Sequence, residues 1–166
     1  MDVGLAKQIT DYVIENKEMH YRLAFSYVKN TEDALEVVQE SIYKAFSTMS
    51  TLKTPDYLKT WFYRIIVNTA IDLMRKKKKV IVVDDETLAQ YNLSTVDHYA
   101  DIDLQKTLEN LPVRYRSVVI LRFFEDLKFE EIAEILDENV NTVKTRLYKS
   151  LRMLRIQMNE EKEGLC

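Results

Sequence analysis

The sequence predicts an all-α fold with two small helical domains joined by a flexible acidic linker, and three observations indicate it. The 166 residues include only two glycines and two prolines, so few positions favour the tight turns that β-hairpins need. Residues of high helix propensity are abundant, and apolar side chains recur every three or four positions. Residues 80–100 lose that periodicity, which marks a boundary between domains. The apolar fraction of 46% suffices for a hydrophobic core.

Composition also argues against several classes of protein. Both glycines, Gly4 and Gly164, lie near the ends, so no glycine-rich phosphate-binding loop can form in the interior. His20 and His98 lack cysteine or paired-carboxylate neighbours, which disfavours a metal site or a catalytic triad. The single cysteine, Cys166, allows no internal disulfide, and no apolar run approaches the roughly 18 residues of a membrane span. We therefore expect a cytoplasmic soluble protein without a metal or cofactor, and most nucleotide-dependent enzymes are disfavoured.

Residues 31–49 predict an amphipathic helix that opens with a capping Thr31 and first-turn acids. The residues expected to face the core follow alternating three and four spacing: Leu35, Val38, Ile42, Ala45 and Met49. The opposite face forms an acidic stripe of Glu32, Asp33, Glu36, Gln39 and Glu40. That stripe is either simply solvated or a docking surface.

A second long helix is predicted over residues 56–79. Its inward positions are Leu58, Phe62, Ile65, Thr69 and Leu73. Its outer stripe is Arg64, Asn68, Asp72 and Arg75. Trp61 shares the apolar spacing, so we expect Trp61 and Phe62 to serve the core rather than to stack on bases. Five consecutive cations, residues 75–79, end the helix and are either a solvated tail or a phosphate contact.

The predicted linker covers residues 80–100, so the domains are residues 1–79 and 101–166. Between Val80 and Leu104 there are six acids and no Lys or Arg. The second domain is expected to begin with a short helix through Leu104 and Leu108 and to restart at Pro112, which suits a helix's first turn. Residues 112–127 are apolar enough for a core helix.

The C-terminal segment predicts a helix-turn-helix. The first helix is expected to bury Ile132, Ala133, Ile135 and Leu136, and a turn follows at residues 137–140. The second helix is expected to bury Val143, Leu147, Leu151, Leu154 and Met158. From residue 139 to residue 158 there are five bases and no acid, which suits the approach to a phosphate backbone. Asn141, Thr142, Thr145 and Tyr148 are of types that reach base edges.

The charge distribution points to a larger partner. A net charge of −3 and a pI near 5.5 argue against a self-sufficient DNA binder. The charges are segregated, however, into a basic surface in each domain, an acidic linker and an acidic helix face. This pattern indicates two DNA contacts made with the help of another protein.

Four segments resemble, in order and spacing, the conserved regions of extracytoplasmic-function sigma factors, the small two-domain members of the sigma-70 family. They are DALEVVQESIYKAF, TWFYRIIVNTAIDLMRKKKK, LPVRYRSVVILRFFEDLKFEEIAEIL and NTVKTRLYKSLRMLR. The resemblance covers roughly residues 5–158. It implies a transcription initiation subunit that binds core RNA polymerase and directs it to promoters.

The resemblance also implies roles for particular residues. Docking on the clamp helices of the β′ subunit falls to Asp33, Glu36, Gln39 and Glu40, and the β flap is a further contact. The loop of residues 52–60 is similar to one that captures a base flipped out of the minus-ten element. Its pocket residues are Lys53, Thr54, Asp56, Tyr57 and Asn68, while Arg64, Arg75 and Lys76 hold phosphates. The minus-thirty-five element falls to Thr142, Lys144, Thr145, Arg146, Tyr148 and Lys149.

The chain departs from the family pattern in the turn and at the start of the recognition helix, where Asp137, Glu138 and Asn141 stand in places that often hold glycine or other small residues. Asp and Asn tolerate left-handed backbone, so we expect the turn to survive. The resemblance further implies control by an anti-sigma factor, often membrane-anchored, in a stress or cell-envelope response. A linker of this family is expected near the active-site and RNA-exit channels of the polymerase. Two alternatives remain. One is a stand-alone helix-turn-helix regulator that binds a palindromic site as a dimer. The other is an enzyme, which no group of candidate catalytic residues supports.

Overall fold

The structure, a computed structural model, describes residues 3–81 and 107–164. No strand occurs within these ranges, and the all-α prediction is confirmed. The α-helices are α1 (Val3–Glu15), α2 (Lys17–Val28), α3 (Thr31–Ser47), α4 (Leu58–Ile81), α5 (Val113–Val119), α6 (Phe129–Leu136) and α7 (Val140–Gly164). Residues 107–110 are also helical. Short 3-10 turns span Met49–Thr51 and Pro55–Tyr57, and a π-helical turn, Ile120–Phe124, continues α5.

The described residues form two compact units, one of residues 3–76 with 133–138 and the other of residues 77–81, 107–132 and 139–164. Helix α4 runs two residues beyond the predicted end of the first domain, to Ile81. The rest of the predicted linker, the start of the short helix through Leu104, and the side chain of Met158 lie outside the described residues. None of the described helices combines the length and the hydropathy that a membrane span requires.

An aromatic cluster around His20 joins three helices of the first unit. The His20 ring lies 4.7 Å from that of Phe62 on α4 and 5.3 Å from that of Tyr12 on α1, centroid to centroid. The side chain is 1% exposed, and its Nε2 lies 3.4 Å from the Tyr12 hydroxyl. Because burial penalises the charged imidazole, the pKa of His20 falls from 6.5 to about 4.

Helix α3 is rotated by one position relative to the prediction. The buried face is Ala34, Val37, Ser41 and Ala45, followed by Met49 in the next turn. The prediction that Leu35 faces the core is wrong, because its side chain is 51% exposed, and Val38 and Ile42 are only half-buried. Small side chains on the buried face allow a close approach to α2, which packs against it.

The N-terminus of α3 also differs from the prediction. The cap is Asn30 rather than Thr31, since the Asn30 side chain accepts a hydrogen bond from the backbone N–H of Asp33 at 3.1 Å. At the other end of the helix, the Lys44 ammonium donates to the buried Thr69 hydroxyl at 3.1 Å. This bond joins α3 to α4.

Helix α4 buries a wider face than predicted. Leu58, Phe62 and Thr69 are buried as expected, whereas Ile65 and Leu73 are half-buried. Four further residues are completely buried: Tyr63, Ile66, Val67 and Ala70. The face is wide because α4 contacts side chains of α1, α2 and α3 rather than of one neighbour.

In the second unit, the predicted core helix is interrupted. Residues 118–121 are buried, but Phe123 and Phe124 in the π-helical turn are exposed, so their assignment to the core is wrong. The turn closes when the Glu125 N–H donates to the Ile120 carbonyl at 3.1 Å. Asp126 then takes a positive φ of 52°, which reverses the chain and brings Leu127 back into the core.

The helix-turn-helix forms as predicted. Asp137 adopts the left-handed conformation with φ 55°, and the Glu138 N–H donates to the Ala133 carbonyl at 2.9 Å. This is the bonding pattern that commonly ends a helix with glycine, here made with aspartate. Asn139 caps α7, because its Oδ1 accepts from the Thr142 N–H at 2.7 Å.

The buried face of α7 follows Val143, Leu147, Ser150 and Leu154. Leu151, predicted to be buried, is therefore exposed in part. Ser150 takes its place: its hydroxyl donates to the Arg146 carbonyl one turn earlier in α7 at 2.6 Å and lies 3.2 Å from the Tyr115 carbonyl of α5, which packs against α7 at this point. A leucine at position 150 would leave no room for that contact.

Candidate polymerase and nucleic-acid interfaces

The outer face of α3 carries acidic and apolar side chains together. Glu36, Gln39 and Glu40 are exposed as predicted. Asp33 is not part of this surface, because it is 8% exposed and lies in the capped first turn. The prediction that Asp33 shares the exposed stripe is wrong, because Asp33 lies four residues before Val37 and eight before Ser41, on the buried face of α3.

Three apolar residues on the same face were not foreseen from the sequence. Leu35, Tyr43 and Phe46 are exposed, Tyr43 to 69%. With Gln39 they follow a spacing of four, four and three, which places them along one side of the helix. The signal was present in the sequence, since placing Ala34, Val37, Ser41 and Ala45 inside turns these residues outward. Exposed aromatic and aliphatic groups beside carboxylates are typical of a protein-binding surface.

A short loop between α3 and α4 displays four predicted site residues. Lys53, Thr54, Asp56 and Tyr57 are all exposed. The loop is anchored at both ends by the buried side chains Leu52 and Leu58. Its own backbone is folded, because the Tyr57 N–H donates to the Thr54 carbonyl at 3.1 Å.

The indole of Trp61 fixes the start of this loop. Trp61 Nε1 donates to the Thr51 hydroxyl at 3.1 Å, and that hydroxyl donates in turn to the Thr48 carbonyl at 2.7 Å. Phe62 is fully buried and Trp61 is half-buried. The expectation that these two rings serve the core is confirmed for Phe62. Trp61 has an additional part, since it ties α4 to the residue before the loop.

Polar residues of the outer stripe continue along α4 from the loop. Arg64, Asn68, Asp72 and Arg75 are exposed and share one face, at spacings of four, four and three. Lys76 is also exposed, next to Arg75. The stripe therefore offers two guanidinium groups, an amide and one carboxylate on the helix that immediately follows the loop. Such a surface can contact phosphates and unpaired bases.

The recognition helix α7 presents the third set of predicted residues. Lys144, Thr145, Tyr148 and Lys149 are exposed, whereas Thr142 and Arg146 are half-buried. The Thr145 hydroxyl donates to the Asn141 carbonyl at 2.9 Å. The Lys144 ammonium lies 5.6 Å from the centroid of the Phe129 ring, which also receives the Arg122 guanidinium at 4.5 Å. Lys144 is thus directed toward α6 by a cation–π contact.

An open polar groove of about 440 Å³ lies beside the start of α7. It is lined by Arg114, Tyr115, Asn139, Asn141, Thr142, Thr145, Arg146 and Lys149. Arg114 and Tyr115 come from α5, and no sequence pattern predicts that they lie next to the recognition helix. The only hint was that Arg114 belongs to a run with two arginines at the start of an otherwise apolar helix.

Family models match both units of the chain. A model described as sigma-70 region 2 matches residues 13–80, and one described as sigma-70, region 4 matches residues 101–154. The first range contains α3, the loop and most of α4. The second contains the helix-turn-helix and the groove.

Sequence relatives cover nearly the whole chain. The RNA polymerase sigma factor SigV of Bacillus subtilis (strain 168) is 56% identical over 149 residues, which is 90% of both chains. The ECF RNA polymerase sigma factor SigW of the same strain is 30% identical over 90% of this chain and 88% of its own.

Solved structures show the same fold at lower sequence identity. The sigma factor RpoE from Bartonella quintana, in complex with the anti-sigma factor NepR, superposes with a TM-score of 0.75 at 21% identity, over 92% of this chain and 98% of its own. CnrH, in complex with the cytosolic domain of CnrY, superposes with a TM-score of 0.69 at 21% identity, over 94% of this chain and 96% of its own. The family matches and the two Bacillus relatives agree with the arrangement of the helices. The chain therefore belongs to the extracytoplasmic-function sigma factors of the sigma-70 family, non-enzymatic subunits that bind core RNA polymerase and promoter DNA to start transcription.

Proposed function

We propose that this sigma factor docks on the β′ clamp helices through α3, captures the minus-ten element with the loop before α4, and reads the minus-thirty-five element with α7. The observation that carries the proposal is the separation of surface chemistry. Basic and amide groups predominate on the outer faces of α4 and α7, where Asp72 is the one acid of the α4 stripe, whereas acidic and apolar groups predominate on the outer face of α3. We place its action in the cytoplasm, where core polymerase works.

Docking through α3 is supported by a surface that combines charge with apolar area. Glu36, Gln39 and Glu40 supply charge and hydrogen bonds, while Leu35 and Tyr43 supply apolar area that water would leave on binding. Aromatic anchors surrounded by polar groups commonly carry most of the binding energy of an interface. A partner with basic and apolar residues on paired helices would match this face.

Capture of a minus-ten base is supported by the anchored loop. An extruded base costs a few kcal/mol of lost stacking, which a protein must offset with new stacking and edge contacts. The exposed ring of Tyr57 can stack, and Thr54 and Asp56 can contact base edges. The Trp61 bond to Thr51 and the buried Leu52 hold the loop in place before the base arrives. Arg64, Asn68, Arg75 and Lys76 would then follow the strand along α4.

Reading of the minus-thirty-five element is supported by the capped recognition helix. A helix of this motif enters the major groove with its N-terminal residues against base edges. Lys144 can contact guanine acceptors, and Tyr148 can contact a base edge or a phosphate. Both are exposed in the first three turns of α7.

We further propose control by an anti-sigma factor, membrane-anchored and linked to a stress or cell-envelope response. The two structural neighbours described above were solved with anti-sigma factor NepR and with the cytosolic domain of CnrY. An exposed apolar stripe on α3 would be left unprotected on the free protein, which favours a second protein that covers it until release. The β flap is proposed as a contact of the second unit, where Phe123 and Phe124 are exposed.

The proposal is tested by run-off transcription with purified core polymerase and a genomic-fragment library, with and without this protein. Discrete new transcripts that share two upstream motifs are expected. Two variants then separate the surfaces. Glu36→Lys should reduce binding to core polymerase, whereas Lys144→Ala should leave core binding intact and lower the yield of promoter-specific transcripts. No stimulation by the wild type, together with duplex binding by the protein alone, would refute the proposal in favour of a stand-alone regulator.

A further inference from the structure

The groove beside the start of α7 is rich in cations and hydrogen-bond donors. Three of the residues that line it are basic: Arg114, Arg146 and Lys149. The others are a phenol, two amides and two threonine hydroxyls, and none of the described residues in the lining is acidic. An oxyanion entering this groove would therefore meet positive charge and donors without repulsion.

Arg114 is held at the wall of the groove although it belongs to α5. The hydroxyl of the fully buried Ser150 of α7 donates to the Arg146 carbonyl at 2.6 Å and lies 3.2 Å from the carbonyl of the adjacent Tyr115, so the backbone next to Arg114 packs directly against α7. The Arg114 side chain is exposed, and its guanidinium lies 4.9 Å from the centroid of the Tyr115 ring. Stacking on the ring restricts the rotamers of a long side chain, so less conformational entropy is lost when it binds an anion.

The recognition helix presents two different faces. Thr142, Arg146 and Lys149 follow a spacing of four and three, so they share the face that lines the groove with Arg114. Lys144 and Tyr148 lie one turn apart on another face, outside the groove lining. When a helix lies in the major groove, one face meets base edges while its flanks meet the sugar–phosphate backbone.

We propose that Arg114, Arg146 and Lys149 form a clamp for a DNA phosphate at the edge of the minus-thirty-five site, with Arg114 as a DNA contact supplied from outside the helix-turn-helix. The ligand is a backbone phosphodiester rather than a base. Lys144 and Tyr148 are left to read sequence. The proposal rests on the proposed function, since it requires α7 to bind promoter DNA.

The salt dependence of DNA binding tests the proposal, because losing a contact to a phosphate reduces the slope of log affinity against log salt and losing a contact to a base does not. The sample is full-length protein bound to core polymerase. The probes are a duplex promoter selected from the genomic library and the same duplex with its upstream motif scrambled. The variants are Arg114→Gln, which removes the charge, Arg114→Lys, which keeps it, and Lys7→Gln, which removes an exposed charge on α1 far from any proposed site in sequence. Circular dichroism and core binding check that each variant is folded.

Arg114→Gln should weaken binding to both duplexes by the same factor and reduce the slope of log affinity against log salt by about 0.9. Its deficit relative to wild type should then shrink about three- to fourfold between 50 mM and 200 mM salt. Arg114→Lys should restore most of the slope, and Lys7→Gln should match the wild type. An unchanged slope, or a loss confined to one of the two duplexes, would overturn the phosphate clamp while leaving the sigma-factor assignment and the use of α7 untouched. Failure of the wild type to bind the promoter in holoenzyme would instead overturn the proposed function and this inference with it.

Discussion

Replacing His20 with phenylalanine should remove a large part of the acid sensitivity of the first unit. The wild-type ring is neutral in the folded state, with a pKa of about 4, whereas in the unfolded chain it titrates near 6.5. Between these values the unfolded chain binds more protons than the folded one, so the free energy of unfolding falls as the pH falls. Above pH 6.5 the ring is neutral in both states and contributes no pH dependence.

The size of the effect follows from the two pKa values. The full loss, reached below pH 4, is about 3 kcal/mol, and between pH 7 and pH 5 it is about 2 kcal/mol. His20→Phe keeps an aromatic ring between Tyr12 and Phe62 but cannot titrate. All other groups titrate in both proteins, so the difference between wild type and variant isolates His20.

Urea unfolding of the full chain at pH 7, 6 and 5 measures this difference. The fluorescence of Trp61, the single tryptophan of the chain, reports on the first unit because Trp61 lies on α4. The advantage of wild type over His20→Phe should shrink by about 2 kcal/mol from pH 7 to pH 5. An equal loss of stability in both proteins over this range would refute the reasoning. In that case an NMR titration of the His20 ring signals in the folded protein would give a pKa near 6.5 rather than about 4.

Three further predictions concern local structure. Asp137→Gly should stabilise the helix-turn-helix by up to about 1 kcal/mol in urea unfolding, because glycine adopts the left-handed conformation without strain; destabilisation would contradict this. Thr51→Val should remove the hydrogen-bond acceptor for Trp61 and lower the free energy of unfolding by about 1 kcal/mol. It should also reduce promoter melting, measured by permanganate footprinting, whereas Thr51→Ser should behave as wild type. Val37→Ala should lower the free energy of unfolding by roughly 2 kcal/mol, and Leu35→Ala should lower it by less than about 0.5 kcal/mol. Only Leu35→Ala should weaken binding to core polymerase at unchanged stability. The reverse order of the two stability losses would support the register of α3 that the sequence predicts.

Sequence periodicity located α3, α4 and the helix-turn-helix, because each contains several turns of consistent apolar spacing. It did not resolve which of two adjacent stripes is buried. In α3 the pairs Ala34 with Leu35 and Val37 with Val38 both fit a helical period. Hydrophobicity favours the larger leucine, but close packing against α2 selects the smaller alanine.

The site residues divide in the same way. Charge and amide groups on α4 and α7 were expected to be exposed, and most are, because desolvating a charge without a partner is costly in any fold. On α3, by contrast, the prediction for Asp33 is wrong, since this residue lies on the buried face at a spacing of four from Val37. Arg114 could not have been assigned to the groove, because its neighbours Arg146 and Lys149 lie more than 30 positions away in the chain.

The sequence by itself therefore determined the helical class, the helix-turn-helix, the segregation of charge and the family, all of which depend on local patterns and on the order of segments. Only the tertiary structure decided that Leu35 and Tyr43 face outward, that Ser150 replaces Leu151 in the core, and that α5 contributes to the polar groove beside α7. The reason is physical. Helical periodicity restricts each side chain to a face, but the shape of the neighbouring helix selects which face is buried.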